Sequence, residues 1–204
     1  MAAEATASAA EPSTSERRED RPAPVLDEPA FRYTRPYEKD YLRTVVEEAI
    51  ILGAGFTQYS FDKSNEADWD LAPEWSSLQS KLTFESLTYD NNNFDTNWLT
   101  HPLAGWAYYS AARSNRLSLP ASFLFAFGAS TLWEVLGEIR EHAAINDIIA
   151  TPVTGLAIGE PMLQLGALAQ RSRSPVTRAF AWVLSPFKAA HDAIDGLETE
   201  RAPA

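Results

Sequence analysis

Between Asn97 and Glu160 the chain is strongly apolar, yet polar side chains recur through it: Asn97, His101, Tyr108, Tyr109, Arg113, Glu134, Glu138, Asn146, Asp147, Thr151 and Glu160. A polar group withdrawn from water costs free energy unless it is hydrogen-bonded, and a charge costs more unless it is paired. A fold built on this stretch must bring these groups to one another or to water. From Leu117 to Trp133 there is no charge at all. That run approaches the ~20 residues of a bilayer span, but Ser122, Gly128, Ser130 and Thr131 dilute it. We read it as the helix at the centre of a bundle.

The 204 residues suffice for one domain with a core plus some tail. A net charge of -11 gives no electrostatic reason to expect nucleic acid or a bare anionic membrane as partner. The absence of cysteine removes disulfides, thiolate chemistry and cysteine-based zinc sites. Met1 is followed by neither a basic segment nor an apolar one, so no signal peptide is expected. The Ala-rich tract from Ala2 to Ala10 has the small-residue character of the start of a mature exported protein.

Residues 1–30 are expected to be a disordered arm and 197–204 a disordered tail, flanking a helical domain over 31–196. The arm lacks the apolar side chains that would offset chain entropy. Helical spacing of Tyr41, Leu42, Val45, Val46, Ala49 and Ile50 predicts a helix near 37–52, stopped by Gly53 and Gly55. Residues 62–70 read as a polar loop. Trp75 to Tyr89 fits either a helix or a short strand, and the Asp90–Asp95 cluster reads as a turn. A helix is expected from His101 to Ser114. The next is capped by Ser118, with Pro120 in its first turn, and should reach about Glu141. Asn146 is expected to cap a helix that Pro161 kinks or restarts and that ends near Gln170. Ser174-Pro175 and Ser185-Pro186 open two more, the last closed by Gly196.

Two strings carry a resemblance. The first is Asp90-x-Asn92-x-Phe94-x-x-Asn97-x-x-x-His101-Pro102-x-x-Gly105-x-x-Tyr108-Tyr109-x-x-Ala112-Arg113. The second is Trp133-Glu134-x-x-Gly137-Glu138, followed by Asn146-Asp147-x-x-x-Thr151-Pro152-x-x-Gly155-x-x-x-Gly159-Glu160. In order and separation they resemble the signatures of a bacterial envelope-protein family that is a domain of unknown function, over about Asp90 to Gln170. The resemblance implies a helical module of the cell envelope, periplasmic or associated with the outer membrane, often followed by a region that forms a β-barrel. No run of alternating strands is visible here. The chain departs from the pattern at Ile139–Ala144, where the resemblance implies a proline-containing loop. It carries over no activity.

Each polar residue has a structural reading beside a chemical one. Glu134 and Glu138 share a helix face, and two carboxylates turned inward would raise one pKa and suit acid–base work; alternatively they are solvated, or paired with Arg113 or Arg140. His101 is a candidate base or metal ligand, or else a cap bonded to Asn97. With Glu134, Glu138 and Asp147 it would make a hard-ligand metal set, although no spacing of the HExxH kind supports one. Asn146 and Asp147 fit the start of a helix, as Glu160 fits the turn before Pro161. Tyr108 and Tyr109 read as core aromatics, with Tyr108 able to satisfy a buried carboxylate. Gly155 and Gly159 permit close helix approach. Ser110 lacks the context of a nucleophile, and Gly53-Ala54-Gly55 lacks that of a phosphate loop.

The expectation is a mostly α fold, a bundle of five to seven helices with little or no sheet. Inside it His101, Arg113, Glu134, Glu138 and Asp147 should meet as one network. Two functions follow. One is an envelope module associated with lipid or a partner protein, in which the network specifies packing. The other is a hydrolase of an envelope lipid or glycan ester, with Glu134, Glu138 and His101 as its catalytic groups. A third surface, Phe180, Trp182 and Phe187 interleaved with Arg178 and Lys188, has the make-up of a helix lying on a membrane. The pattern names no cofactor and no oligomeric state.

Overall fold

The computed structural model describes residues 32–63, 74–89, 94–138 and 141–200. The expected N-terminal arm, the loop from 64, the turn cluster at 90–93 and the first two residues of the departing loop lie outside them. Among the described residues seven α-helices follow in order: α1 Tyr41–Lys63, α2 Trp75–Leu82, α3 His101–Ser114, α4 Leu119–Leu132, α5 Ile145–Gln170, α6 Pro175–Leu184 and α7 Pro186–Asp195. Two wide π-helical turns adjoin them, Thr96–Thr100 before α3 and Trp133–Gly137 after α4. Among the described residues there is no sheet, only two isolated bridges, Tyr33 with Thr199 and Thr88 with Ala144. The class is the helical bundle expected.

Capping residues set three boundaries. Ser118 Oγ accepts from Ala121 N–H at 3.3 Å and Ser174 Oγ from Thr177 N–H at 3.4 Å, each with proline in the first turn behind it. Gly196 closes α7 in the left-handed conformation, φ 61°. Three boundaries differ from expectation. α1 runs on through Gly53 and Gly55, because Gly55 lies against the Trp133 ring, where a Cβ would come within 3.2 Å. α4 ends at Leu132 and gives way to the wide turn, which ends at Gly137, short of Glu141. α5 passes through both Pro152 and Pro161 unbroken. α3 packs along it, and Arg113 and Tyr109 grip Glu160 beside the second proline. Those contacts offset the backbone bond a mid-helix proline removes. The 75–89 segment resolves into α2 and a turn.

The helix at the middle of the packing is α3, not the uncharged one. His101, Gly105 and every residue from Tyr108 to Ser114 are buried. α3 and α5 run parallel, and they touch backbone to backbone. A Cβ on Gly105 would fall 1.9 Å from the Thr151 carbonyl oxygen, and one on Gly155 2.3 Å from that of Gly105. α4 runs antiparallel to both, its Ser130 hydroxyl donating to the Asp147 carbonyl at 3.0 Å.

α4 flanks this pair and turns Leu124, Phe127 and Leu132 outward, while Ser122, Ala126, Ala129 and Ser130 face in. α5 likewise exposes Ile149, Val153, Ile158, Leu165 and Leu168 and buries Gly155, Gly159, Gly166 and Ala167. The inner faces of α4 and α5 are thus built mainly from small and polar residues, with Leu163 the large aliphatic side chain buried among them, and most of their large aliphatic residues face outward.

The C-terminal residues 197–200, expected in a disordered tail, pack on the bundle. Thr34 N–H donates to Glu198 O at 2.9 Å, and Glu200 N–H to Arg32 O at 2.7 Å. Beneath them, Lys188 Nζ donates to Asp192 and Gln170, both at 2.5 Å, and Tyr33 Oη donates to Asp192 at 2.7 Å. Lys188 is therefore buried and absent from the amphipathic surface proposed for it. Phe187 packs edge-on against Trp106 at 5.6 Å, leaving Val176, Phe180, Trp182 and Val183 outward on α6.

Candidate functional site

The polar residues singled out in the sequence do not form one network. They divide into two clusters along α3. In the first, Arg113 Nε donates to Glu160 Oε2 at 2.9 Å and Arg113 Nη2 to Glu160 Oε1 at 3.1 Å. Tyr109 Oη donates to the same carboxylate at 2.6 Å and Gln164 at 2.7 Å. This two-pronged, nearly saturated pair leaves Glu160 little capacity for chemistry. Arg113 therefore pairs with neither Glu134 nor Glu138. More than four turns of α5 lie between Glu160, which Arg113 meets, and Ala144, which Glu134 meets. Tyr109, not Tyr108, is the tyrosine that satisfies a carboxylate.

The second cluster occupies the end of the bundle where the start of α3, the end of α4 and the start of α5 converge. His101 Nδ1 stands 3.4 Å from Thr151 Oγ1, and its Nε2 stands 3.4 Å from Asp147 Oδ2 without forming a hydrogen bond. Thr151 and Asp147 are one helical turn apart, so α5 presents both to the same ring. Ala144, not Asn146, holds the capping position of α5. Its N–H is taken by Glu134 Oε2 at 2.8 Å, while Asn146 Nδ2 donates to Asp147 Oδ1 at 2.9 Å. Glu134 reaches across from another element to cap α5, so no local side chain is needed. Asp147 keeps its expected place in the first turn.

Glu134 and Glu138 have different partners. Glu138 Oε1 accepts from Trp133 Nε1 at 3.1 Å. Behind the pair, Lys81 Nζ donates to the main-chain oxygens of Glu134 at 2.8 Å and Glu138 at 2.5 Å. Lys81 thereby satisfies carbonyls at the helix end, where a cation also complements the backbone dipole. Burial lowers its pKa, against the raising effect of Glu138, Glu134 and Glu141. Burial and then the neighbouring charge of Glu141 push Glu138 up to about 7, against the Trp133 bond and Lys81.

A cavity of about 480 Å³, partly open to solvent, lies in front of this cluster. α3 supplies His101, Ala104 and Tyr108; α1 supplies Gly55, Gln58 and Tyr59; Thr96, Thr100, Ser130, Trp133, Glu138, Glu141 and Thr151 complete the wall. Tyr59 and Trp133 meet edge to face at 5.9 Å, and Tyr59 Oη donates to Glu141 Oε1 at 2.5 Å. Both π-helical turns abut the cavity, and such turns often mark functional positions. Asn97 lies half-buried in the first of them. Glu134, 1% exposed, stays behind the wall. Among the described residues no three His, Asp or Glu side chains are grouped to hold a metal ion, so the hard-ligand set does not assemble.

Sequence reasoning missed Lys81, Tyr59 and Glu141. They come from segments of no apparent periodic or motif signal and meet the site only through the tertiary fold. Trp133 was read only as part of a signature string, though its indole is both wall and hydrogen-bond donor.

No curated protein and no solved structure matches the chain. One family, described as Domain of unknown function (DUF3943), matches residues 86–187, half of the chain and the whole of the segment that carries α3, α4, α5 and α6. The chain belongs to that family.

Proposed function

We propose that this chain is a helical module embedded in a membrane of the bacterial envelope, with a polar interior that both specifies its packing and opens into a lipid-facing or solvent-facing site. One observation carries the reading. The two helical stretches Leu119–Gly137 and Ile145–Gln170 are long and apolar enough to cross a membrane, and only 28% of each apolar window is buried inside the protein. The core helix of a water-soluble bundle is mostly covered by its neighbours. These two leave Leu124, Leu132, Leu136, Ile149, Val153, Leu165 and Leu168 uncovered, the kind of apolar exposure that marks a membrane or protein contact.

At 1.5 Å per residue the stretches measure about 28 and 39 Å, against about 30 Å of hydrocarbon. The only charged residues of α5 are Asp147 and Glu160. Both turn inward, toward His101 and Arg113, as ionisable groups within a bilayer do. Small residues at the α3–α5 contact suit helix association in lipid, where burying large side chains yields no advantage over leaving them in the acyl chains.

The test is membrane partition of the intact chain. It should stay with the membrane pellet through an alkaline carbonate wash and float with liposomes. Leu124→Arg combined with Leu165→Arg should shift it out of the lipid fraction. Recovery of the unaltered chain as a monodisperse soluble protein in detergent-free buffer would overturn the proposal.

Hydrolysis of an envelope lipid or glycan ester is the second reading. It is favoured by the placement of His101 and Glu138 on an open cavity, with the Thr151 hydroxyl beside the imidazole. Glu134, sealed behind the wall, has no part in it. Turnover of fluorogenic esters or phospholipids that disappears in His101→Ala would support it, and turnover unchanged in that variant would refute it.

A further inference from the structure

We infer that the cavity beside His101 binds an organic ammonium group, the head of an alkylamine or of an amine-bearing lipid. The inference does not require the chain to lie in a bilayer. It rests on what lines the space.

Two carboxylates, Glu138 and Glu141, stand on the wall, and among the described residues no lysine or arginine does. Lys81 is turned away to the main-chain oxygens of Glu134 and Glu138. Three aromatic residues, Tyr59, Tyr108 and Trp133, share the wall with small and uncharged polar side chains. Aromatic faces with a carboxylate nearby are the surroundings in which an alkylated nitrogen cation is stabilised, because the ring quadrupoles attract the charge while the ring surfaces cover its carbon substituents. Trp133 and Tyr59 do two things at once. Each bonds one carboxylate through its polar atom, which holds Glu138 and Glu141 in place, and each lines the cavity.

A second, independent feature points to a ligand. His101 is only 8% exposed and lies on the cavity wall, and its Nε2 makes no hydrogen bond. Asp147 Oδ2 approaches that nitrogen at 3.4 Å without hydrogen-bonding geometry; a buried ring nitrogen so loosely met is costly, and a polar guest in the cavity, such as the hydroxyl of an amino alcohol, would relieve that cost. A small inorganic cation suits the site less well: no three-ligand group is present among the described residues, and the rings offer such an ion no coordinating atoms. A volume of about 480 Å³ also exceeds what a single metal ion needs and is in the range of small organic ligands.

The experiment uses the full chain in detergent, titrated calorimetrically with choline and with ethanolamine, and with 3,3-dimethyl-1-butanol, the uncharged carbon isostere of choline. At least one amine should bind, and the isostere should bind at least about tenfold more weakly. Glu138→Gln, whose amide oxygen can still accept from Trp133, should weaken the amine by a similar factor without lowering the thermal midpoint of the empty protein. The isostere comparison needs no variant, so charge recognition is tested even if the substitution fails to fold.

A parallel arm measures binding to vesicles of phosphatidylglycerol with and without phosphatidylethanolamine or phosphatidylcholine. Selective binding to the amine-bearing vesicles alone supports the inference and identifies the lipid head as the source. Binding of the free amines identifies a soluble ligand. Equal binding of choline and its isostere, amine binding unchanged in a folded Glu138→Gln protein, or no amine binding in either arm would each overturn it. Failure of the chain to enter membranes would leave the soluble arm standing, so the two proposals fail separately.

Discussion

Glu138 shows how a residue's surroundings decide its chemistry. Its raised pKa means that the folded protein holds this proton more tightly than the unfolded chain does. The associated stability is fully present below the ordinary value of 4.5 and is lost as pH rises through about 7. The groups that act on it are at the same end of the bundle: Glu141 and Asp147 oppose its charge, and the Trp133 indole and Lys81 favour it. Glu138→Gln should accordingly flatten the fall in thermal midpoint between pH 4.5 and 7 relative to the unaltered chain. Parallel curves for the two proteins would contradict that assignment. Arg113 belongs to the opposite case, a pair whose members neutralise each other. Arg113→Ala leaves the Glu160 carboxylate with only Tyr109 and Gln164, and should cost ~3 kcal/mol. Tyr109→Phe removes one hydrogen bond and should cost ~1 kcal/mol. Chemical denaturation in detergent separates the two magnitudes. The polar residues themselves were legible in the sequence because they interrupt an apolar background. Their partners were not: Glu160 for Arg113 and Ala144 N–H for Glu134 lie 47 and 10 residues away, and pairing across elements leaves no periodic trace.

Among the helices, the α3–α5 contact is the one most sensitive to a single atom. Gly105→Ala would place a methyl group 1.9 Å from the Thr151 carbonyl oxygen, a backbone atom that cannot step aside without moving α5. Overpacking of this kind typically costs ~1–3 kcal/mol, and here it also displaces Thr151 and Asp147 from His101. Gly53→Ala, in the same kind of helix but with no atom within 4 Å, should be neutral or slightly stabilising through helix propensity. A Gly105→Ala protein as stable as Gly53→Ala would mean the helices are not in backbone contact. The two glycines look alike in sequence, and only the neighbouring helix distinguishes them. Local signals with their own hydrogen-bond partner, such as Ser118 with Ala121 and Ser174 with Thr177, were readable in advance. Signals that contacts can override, such as Pro161 and Gly55, were not.

For the whole molecule the decisive feature is which way the large side chains point. The absence of cysteine allows a clean test. A nitroxide attached at Leu124→Cys or Leu165→Cys in reconstituted protein should be reached by oxygen and shielded from a water-soluble nickel chelate. One at Glu198→Cys, an exposed residue of the C-terminal segment, should show the reverse. Ready access of the chelate to positions 124 and 165 would place α4 and α5 in water. Composition and periodicity by themselves determined that the chain is helical, where most helices start and stop, and that ionisable groups would have to be reconciled with apolar surroundings. These are properties of single segments, set by spacing and caps within a few residues. Which helix lies at the centre, which face of α4 and α5 turns out, and which partner each charge takes were decided only when the helices packed. An all-round apolar helix has no face written into it, and the side that becomes interior is chosen by the small residues that let its neighbours come close.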